Sequence, residues 1–598
     1  MNTSLDLDSL ARRYRDGSGC PSDVAAEVLG RIAARGDDHV WITLRPAADV
    51  LGDAAELARR WPDPDSRPPL YGIPFGVKDN VDVAGLPTTA ACPAYAYVPD
   101  RSAPLVDRLL AAGALLIGKT NLDQFATGLS GTRSPYGACE SPLVPGLISG
   151  GSSSGSAVAV AAGLVSFSIG TDTAGSGRVP AALTGTVGIK PSRGLVSTLG
   201  LVPACASLDC PSVFAGSVAD GLAVLSVIAG HEPADPWSRA LAVPPPMPPV
   251  VKSLRVGVPR RLDFFGDDPA AAAFEEAAER LTGLGHRLVP VDLGPFLAAG
   301  RLLYDGPWIA ERLAAFGDFA ARNPGEVHPV TREILSKGAG LTAVDAFTGL
   351  YRLRALRAET RRAWASMDAL AVPTVPTTYT VAEMLDSPIE RNTVLGHYTT
   401  FTNLLDLAGV SVPAGTTATG RPHGITLLGP AGSDALLAGL AASFHSQTGG
   451  PALAPASADP DGGPEAAPVL AVVGAHRSGQ PLHGQLTSLG ATLLGTARTA
   501  PLYRLYALNG GEPARPGLIR SGGDGVSVEV ELYSLGSAAL GALLTRIAPP
   551  LGLGWVALAD GREVHGFLCE PYAVEKAADI SGYGSWPGYL LSWERDGR

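Results

Sequence analysis

The sequence is poor in the residues that mark several large classes of protein. Its 598 residues include only six cysteines, and none of them falls in a CxxC pair or in a Cys/His spacing typical of a metal site. We therefore expect a reduced compartment and no metal. Charged residues make up 17% of the chain and hydrophobic residues 46%, which is not the composition of a disordered protein. This length and composition predict more than one buried core.

Positive charge and long apolar runs are also scarce. The formal net charge is −11, so the chain has no electrostatic reason to bind nucleic acid or an anionic membrane surface. The longest apolar tract, 156–169, is interrupted by glycine and serine and is shorter than the ~20 residues that span a bilayer. The N-terminal segment spreads acids and arginines through an amphipathic pattern, unlike a signal peptide. A soluble cytoplasmic protein is expected.

The first three quarters of the chain predict an α/β fold. Short apolar runs such as 73–77 and 114–117 alternate with helical stretches such as 103–112, which is typical of strands joined by covering helices. A mixed β-sheet core covered by helices is therefore expected over residues 1–450.

A change in composition predicts a second domain. Residues 451–467 consist almost wholly of Pro, Ala, Gly, Asp and Ser and show no apolar period, which indicates a linker. The remainder, 468–598, contains the alternating run VSVEVELY (526–533) among Gly-rich turns, which favours a small, strand-rich α+β or barrel-like domain.

Two small-residue segments suggest nucleophilic chemistry. GGSSSGS (150–156) and GTDTAGSGR (170–178) bracket one helix-like run. Each could serve only as a tight turn, but their serines are also potential nucleophiles. A hydroxyl nucleophile needs a base nearby, and this segment has no histidine. Upstream, Lys78 follows the apolar run 73–77. A lysine in such a position is often structural, yet burial favours the neutral form, which can accept a proton at neutral pH.

These motifs together resemble the amidase signature family, whose members share a GGSSGGS-type loop, a GTDTGGSIR-type loop and an upstream lysine. The resemblance implies that Lys78 is the base, that Ser152 is a bridging serine next to an unusual cis peptide, and that Ser176 is the nucleophile. It also implies an oxyanion hole in the second loop. The backbone N–H groups expected to form it are those of Thr173, Ala174, Gly175 and Ser176.

The sequence departs from the family pattern at both loops. Ala174-Gly175 stands where the family usually has two glycines, and Gly177 stands where it usually has isoleucine. The backbone is therefore expected to be less free at position 174 and more free at position 177 than in other family members. In the first loop, Ser153 and Ser154 follow the bridging serine, so either could share its role.

Residues outside the core motifs resemble the allophanate hydrolase branch of that family. The segments TDTAGSGRVPA (171–181) and LYDGPWIAER (303–312) carry this likeness, which extends over nearly the whole chain. It implies hydrolysis of the terminal amide of allophanate through an acyl-enzyme, giving ammonia and N-carboxycarbamate, which then decarboxylates. A small planar anion calls for a guanidinium and an aromatic hydroxyl. The residues assigned to substrate binding are Tyr304 and Arg312, facing one side of a helix, with Gly128 and Arg178.

Other functions share the same signature. The chain could hydrolyse another small amide such as biuret, malonamate or an aryl amide. It could also be the amidotransferase component of a complex that binds aminoacyl-tRNA, or a scaffold that kept the fold without the activity.

The start of the second domain, VVGAHRSGQPLH (472–483), resembles the allophanate hydrolase C-terminal domain, which is similar to a γ-glutamylcyclotransferase-like fold. This likeness implies a role in decarboxylation, with His476 as the candidate residue and His483, Glu529 and Glu570 as alternatives. The domain could instead serve assembly. The resemblance further implies a homodimer, association with a urea carboxylase, and no cofactor.

Overall fold

The computed structural model describes residues 4–448, 468–509, 513–521, 523–544 and 546–595. The chain divides into two compact units, Met1–Ser457 and Ala458–Arg598. The predicted linker, 451–467, lies outside the described residues. Within the described ranges, no helix is both long and apolar enough to cross a membrane.

The first unit is built on an 11-stranded mixed sheet of order β1-β3-β2-β4-β6-β5-β10-β11-β9-β7-β8. Its strands are β1 (Trp41–Leu44), β2 (Pro74–Lys78), β3 (Leu115–Thr120), β4 (Phe167–Asp172), β5 (Val187–Lys190), β6 (Cys210–Ala215), β7 (Arg255–Pro259), β8 (Arg287–Val291), β9 (Ala369–Pro373), β10 (Leu407–Thr416) and β11 (Pro422–Pro430).

Helices surround this sheet, as the alternation of apolar runs and helical stretches predicts. They are α1 (Leu7–Arg15), α2 (Pro21–Arg35), α3 (Ala47–Arg60), α4 (Pro104–Ala111), α5 (Ser154–Ala161), α6 (Val179–Thr184), α7 (Val218–Ile228), α8 (Asp268–Gly283), α9 (Gly294–Asp305), α10 (Trp308–Arg322), α11 (Pro329–Ser336), α12 (Ala343–Ala363), α13 (Val381–Asp386), α14 (Glu390–Leu395), α15 (Phe401–Leu404) and α16 (Asp434–Thr448).

The middle of the sheet positions the signature motifs. Strand β2 is buried along its whole length and pairs in parallel with both β3 and β4. A strand flanked on both sides and covered by helices needs a continuous apolar run rather than an alternating one, which 73–77 supplies. Helix α5, made of small and β-branched residues, is also wholly buried. The carboxyl ends of β2 and β4 therefore lie close together in the interior. Strand β2 ends at Lys78, and β4 ends at Asp172, within the second signature loop.

The second unit is α+β, in agreement with the predicted small domain. One five-stranded sheet has the order β13-β16-β12-β18-β17, and a three-stranded sheet has the order β15-β14-β19. The elements are β12 (Val469–Val472), α17 (His483–Thr487), β13 (Thr492–Arg498), β14 (Tyr503–Ala507), β15 (Pro516–Arg520), β16 (Glu529–Ser534), α18 (Ser537–Leu544), β17 (Leu551–Ala557), β18 (Glu563–Cys569), β19 (Ala578–Asp579) and α19 (Trp586–Arg595).

Candidate active site

The lysine and the two serines singled out from the sequence form one hydrogen-bonded line. Lys78, the last residue of β2, has its Nζ 2.8 Å from Ser152 Oγ. Ser152 Oγ in turn lies within hydrogen-bond distance of Ser176 Oγ, at 2.9 Å. All three side chains are buried, and the Gly151–Ser152 peptide bond is cis, as the family resemblance predicts. A proton can therefore pass between Ser176 and Lys78 through a single intervening hydroxyl.

Burial changes the protonation of the lysine. Lys78 is fully buried, and loss of solvation lowers its pKa to about 7, although the charges of Asp123, Asp209 and Asp172 act in the opposite direction. The neutral amine is therefore well populated near neutral pH. A second hydroxyl, Thr171 Oγ1, also lies 2.8 Å from Nζ; this contact was not predicted from the sequence, although Thr171 lies within the second signature loop.

The neighbouring serines of the first loop do not share the bridge. Ser153 Oγ donates to the carbonyl of Thr171 at 3.1 Å and accepts from its N–H at 3.3 Å, which ties the loop to β4. Ser154 begins α5 and takes no part in the line. Of these three serines, Ser152 is the one whose hydroxyl lies between Lys78 and Ser176.

Asp172, at the end of β4, organises the nucleophile loop. Its Oδ1 accepts from the N–H of Gly175 at 2.9 Å, and its Oδ2 accepts from the N–H of Gly177 at 3.0 Å. The Gly175 N–H is thus committed to this carboxylate and does not point to an oxyanion, contrary to the expectation from the sequence. The N–H groups of Thr173, Ala174 and Ser176 remain as the candidates.

Arg178 forms a buried ion pair with Asp172 and is not part of a substrate pocket. Its Nε and Nη2 donate to the two oxygens of Asp172 at 2.9 and 3.0 Å, and its other contacts are to Thr402 and Thr399. Burial alone would raise the pKa of Asp172, but the charge and hydrogen bonds of Arg178 outweigh it and hold that pKa below its ordinary value. Because the Arg178 guanidinium is bound to Asp172 and to two threonines of the protein, the assignment of Arg178 to substrate binding is wrong in this structure.

One departure from the family pattern, Gly177, has a steric explanation, and so does the glycine that is kept at position 175. Gly177 packs so closely on Ser212 that a Cβ would lie 2.7 Å from Ser212 Oγ, so the larger side chain usual in the family does not fit. Gly175 has φ +139° and lies against Thr399, a conformation that glycine alone adopts readily. The glycine kept before the nucleophile is therefore the one that the backbone requires.

The buried carboxyl group of Asp209 joins the nucleophile loop to the segment that contains Ala204 and Cys205. Asp209 accepts from Thr173 Oγ1 and from the N–H groups of Ala204 and Cys205 at 2.8 and 3.2 Å. Burial raises the pKa of Asp209 to about 6. The same segment contacts α10, because Glu311 accepts from both the N–H and the hydroxyl of Ser207 at 2.7 Å. This carboxyl group was not apparent in the sequence, because its partners are distant along the chain.

Tyr304 and Arg312 come together, but not on one helix as the spacing predicts. Tyr304 lies near the end of α9 and Arg312 lies in α10, with the helices separated at Gly306-Pro307, since proline cannot continue the hydrogen bonding of α9. The Arg312 guanidinium lies 5.7 Å from the centre of the Tyr304 ring, and its Nη1 donates to Thr127 Oγ1 at 3.0 Å. Tyr304 lines a cavity of about 440 Å³.

The segment that contains Gly128 wraps around a buried aspartate. Asp123 accepts from the N–H groups of Ser130, Gly131 and Arg133 at 3.2, 3.1 and 2.9 Å, and its own N–H donates to the Ser152 carbonyl. Gly128 is buried in this segment and does not line the cavity beside Tyr304. The segment thus holds the backbone of the bridging serine in place through Asp123.

The second unit has a cavity of its own, of about 230 Å³. Of the four residues proposed from the sequence, His476 lines it, whereas His483, Glu529 and Glu570 do not. The His476 ring stacks on Phe567 with centroids 4.9 Å apart, its Nε2 lies 3.1 Å from Gln485 Oε1, and burial lowers its pKa. Glu529 instead pairs with Arg477 at 2.7 Å.

Both units match known families. The Amidase family matches residues 23–438, and the Allophanate hydrolase C-terminal domain matches residues 469–591. Urea amidolyase of Saccharomyces cerevisiae is 39% identical over 92% of this chain, but the chain spans only 31% of that relative's length. A glutamyl-tRNA(Gln) amidotransferase component from Acidobacterium capsulatum is 35% identical, and the match covers 72% of this chain and 96% of the relative.

A solved structure extends the likeness to both units. Kluyveromyces lactis allophanate hydrolase is 37% identical, with a TM-score of 0.70 over 98% of this chain and 99% of that one. The fold, the signature loops and these matches agree with one another. The chain belongs to the amidase family and carries an allophanate hydrolase C-terminal domain.

Proposed function

We propose that this chain is an allophanate hydrolase that uses Ser176 as nucleophile, Ser152 as proton bridge and Lys78 as base. The observation that carries the proposal is the line from Lys78 Nζ through Ser152 Oγ to Ser176 Oγ, at 2.8 and 2.9 Å. It occurs in a chain that resembles an allophanate hydrolase along nearly its full length.

The first half of the reaction forms an acyl-enzyme. Ser176 Oγ attacks the carbon of the terminal amide while its proton moves to Ser152, and the Ser152 proton moves to neutral Lys78. The tetrahedral intermediate then loses its amine: the C–N bond breaks, and the proton returns through Ser152 to the departing nitrogen, which leaves as ammonia. Water repeats the attack on the acyl-enzyme, activated by the same relay, and releases N-carboxycarbamate.

The negative charge on the carbonyl oxygen needs preorganised donors. We assign these to the N–H groups of Thr173, Ala174 and Ser176, because that of Gly175 is bound to Asp172. Each such donor is worth about 3 kcal/mol in the barrier. Asp209 supports this loop through Thr173.

The substrate carboxylate is assigned to Arg312, and its orientation to Tyr304. Support comes from the burial of Arg312 without a carboxylate at ion-pair distance among the described residues, and from the position of its guanidinium over the Tyr304 ring. A buried charge without an ion-pair partner is costly, which favours an anionic ligand.

Decarboxylation of N-carboxycarbamate is assigned to the second unit, with His476 in its cavity. In the full chain, His476→Ala should release the first ammonia at the wild-type rate while carbon dioxide appears after a lag. Equal rates of both products in the variant and the wild type would leave assembly as the role of this unit.

A substrate panel tests the proposal against its rivals. Purified protein should release ammonia from allophanate much faster than from biuret, malonamate or an aryl amide, and Ser176→Ala should not release it. Equal rates on biuret and the aryl amide, which carry no carboxylate, would favour a general amidase. The amidotransferase hypothesis is weaker because its relative covers only 72% of this chain, whereas a further domain family matches 469–591; copurification with tRNA would support it.

The same proposal includes the assembly of the protein. It comprises a homodimer in the cytoplasm that acts together with a urea carboxylase; only the last part has support, since the chain spans 31% of a urea amidolyase. Sedimentation analysis of the purified chain, alone and with such a carboxylase, tests both contacts.

A further inference from the structure

We propose that Arg133 is a second carboxylate-recognition residue, which with Arg312 forms a two-guanidinium site that selects anionic over neutral amides. This inference rests on the proposed function, because it concerns the carboxylate of the same substrate. Arg133 belongs to neither signature loop and lies in the segment that wraps around Asp123.

The two guanidinium groups are held against one residue. Arg133 Nη1 donates to the carbonyl oxygen of Thr127 at 2.9 Å, and Arg312 Nη1 donates to the hydroxyl of the same threonine at 3.0 Å. Arg133 Nη2 is fixed by the carbonyl of Pro388 at 2.8 Å. Thr127 therefore brings together side chains from distant parts of the chain and orients both.

Both arginines are almost fully buried and incompletely paired. Each is 1% exposed, and in each the Nε has no hydrogen-bond partner within the described residues. Their hydrogen bonds go to uncharged oxygens rather than to carboxylates. The carboxylate oxygens of the nearby Asp123 accept hydrogen bonds from backbone N–H groups. Two positive charges are thus buried near each other, and each still has an N–H donor without a partner in the described part of the chain. An anionic ligand would stabilise this arrangement.

Tyr304 links the two guanidinium groups. Arg133 lines the cavity of about 440 Å³ together with Tyr304, and Arg312, which is not among the residues lining that cavity, lies over the ring of the same tyrosine. One aromatic side chain is therefore shared by the cavity and the second guanidinium. Because planar guanidinium groups bind carboxylates through paired N–H donors, a carboxylate is the ligand that suits this pair.

A purely structural role for Arg133 makes a different prediction. If its only task were to tie the Thr127 and Pro388 carbonyls together, its loss would weaken the binding of charged and neutral ligands alike. If it recognises a carboxylate, its loss should affect allophanate and spare biuret, the analogue in which an amide replaces the carboxylate.

Binding should be measured by calorimetry in the full-length Ser176→Ala protein, which holds substrate without turning it over. Adding Arg133→Gln should raise the Kd for allophanate about 10- to 100-fold, the usual effect of losing a hydrogen bond to a charged group, and change the Kd for biuret less than about threefold. Arg133→Lys, which keeps the charge, should retain part of the preference. Arg108→Gln is the control, because Arg108 also donates to backbone carbonyls, at Ile228 and Gly230.

The outcomes separate the two proposals. If the Ser176→Ala parent does not prefer allophanate to biuret, the proposed function fails. If the parent prefers allophanate and Arg133→Gln keeps that preference, or weakens both ligands equally, the two-guanidinium site is wrong. Should Arg133→Gln not fold, Arg133→Lys decides the matter, since an undiminished preference for allophanate with the planar group removed would also overturn the inference.

Discussion

Lys78 Nζ lies 2.8 Å from Thr171 Oγ1 and 2.8 Å from Ser152 Oγ, so the amine is held between two hydroxyl groups. A neutral amine has one lone pair and two N–H groups. If it donates one N–H to Thr171, its lone pair is free to face Ser152. We therefore expect Thr171 to be a positioning residue for the base.

Replacing this threonine should affect turnover more than binding. Thr171→Val removes the hydroxyl and keeps the shape, so kcat for allophanate should fall about 10- to 100-fold with little change in KM. Steady-state kinetics check this outcome. Thr171→Ser, which keeps the hydroxyl, should retain most of the rate; an equally slow serine variant would contradict the role of the hydrogen bond.

The pH dependence of the rate should report the buried lysine. Burial lowers the pKa of Lys78 to about 7, and the base acts in its neutral form, which predominates above that pKa. Below it kcat/KM for allophanate should fall about tenfold per pH unit, and above it the rate should level off. A pH–rate profile with a stable buffer series checks this. A rate that keeps rising to pH 10 would mean that the pKa of the amine is not lowered.

Two of the three consecutive serines, Ser152 and Ser154, should respond very differently to alanine. Ser152→Ala breaks the line and should cost about 10²- to 10⁴-fold in kcat. Ser154→Ala, a matched control at the start of α5, should stay within about threefold of wild type, because Ser154 takes no part in the line. Ammonia release measures both. A similar loss in the two variants would show that the loop, rather than the bridging hydroxyl, limits the rate.

Arg178 should matter to stability rather than to substrate choice. Arg178→Met leaves Asp172 buried without its partner, which should lower the free energy of unfolding by about 3–5 kcal/mol. Denaturant unfolding checks the loss. The ratio of allophanate to biuret hydrolysis should be unchanged in protein that still folds, in contrast to Arg312→Met, which should lower that ratio.

Local sequence was sufficient to predict the parts of the site that lie within a few residues of one another. The apolar run before Lys78 predicts a buried strand, and the structure has β2 there. The small residues of the two loops predict tight turns around Ser152 and Ser176. The break between α9 and α10 was also visible, since Pro307 marks it, but placing Tyr304 and Arg312 two turns apart on one helix was the simpler expectation and was wrong.

The remaining features depend on contacts between distant parts of the chain. No local pattern shows that Arg178 pairs with Asp172 rather than with substrate, since an arginine suits either role. The commitment of the Gly175 N–H likewise depends on where a side chain of β4 points. Thr127, which holds Arg133 and Arg312, shows no periodicity or motif at all. Such residues become functional only when the fold brings their partners to them.

The proposed relay requires Lys78 to be uncharged at the pH at which the enzyme works. NMR titration of protein labelled at lysine Nζ, with Lys78→Met used to assign the signal, measures this charge. We expect its resonance to titrate with a midpoint near the pKa of about 7 that burial produces. A midpoint near 10, the ordinary value for an exposed lysine, would leave the relay without a base and contradict the mechanism.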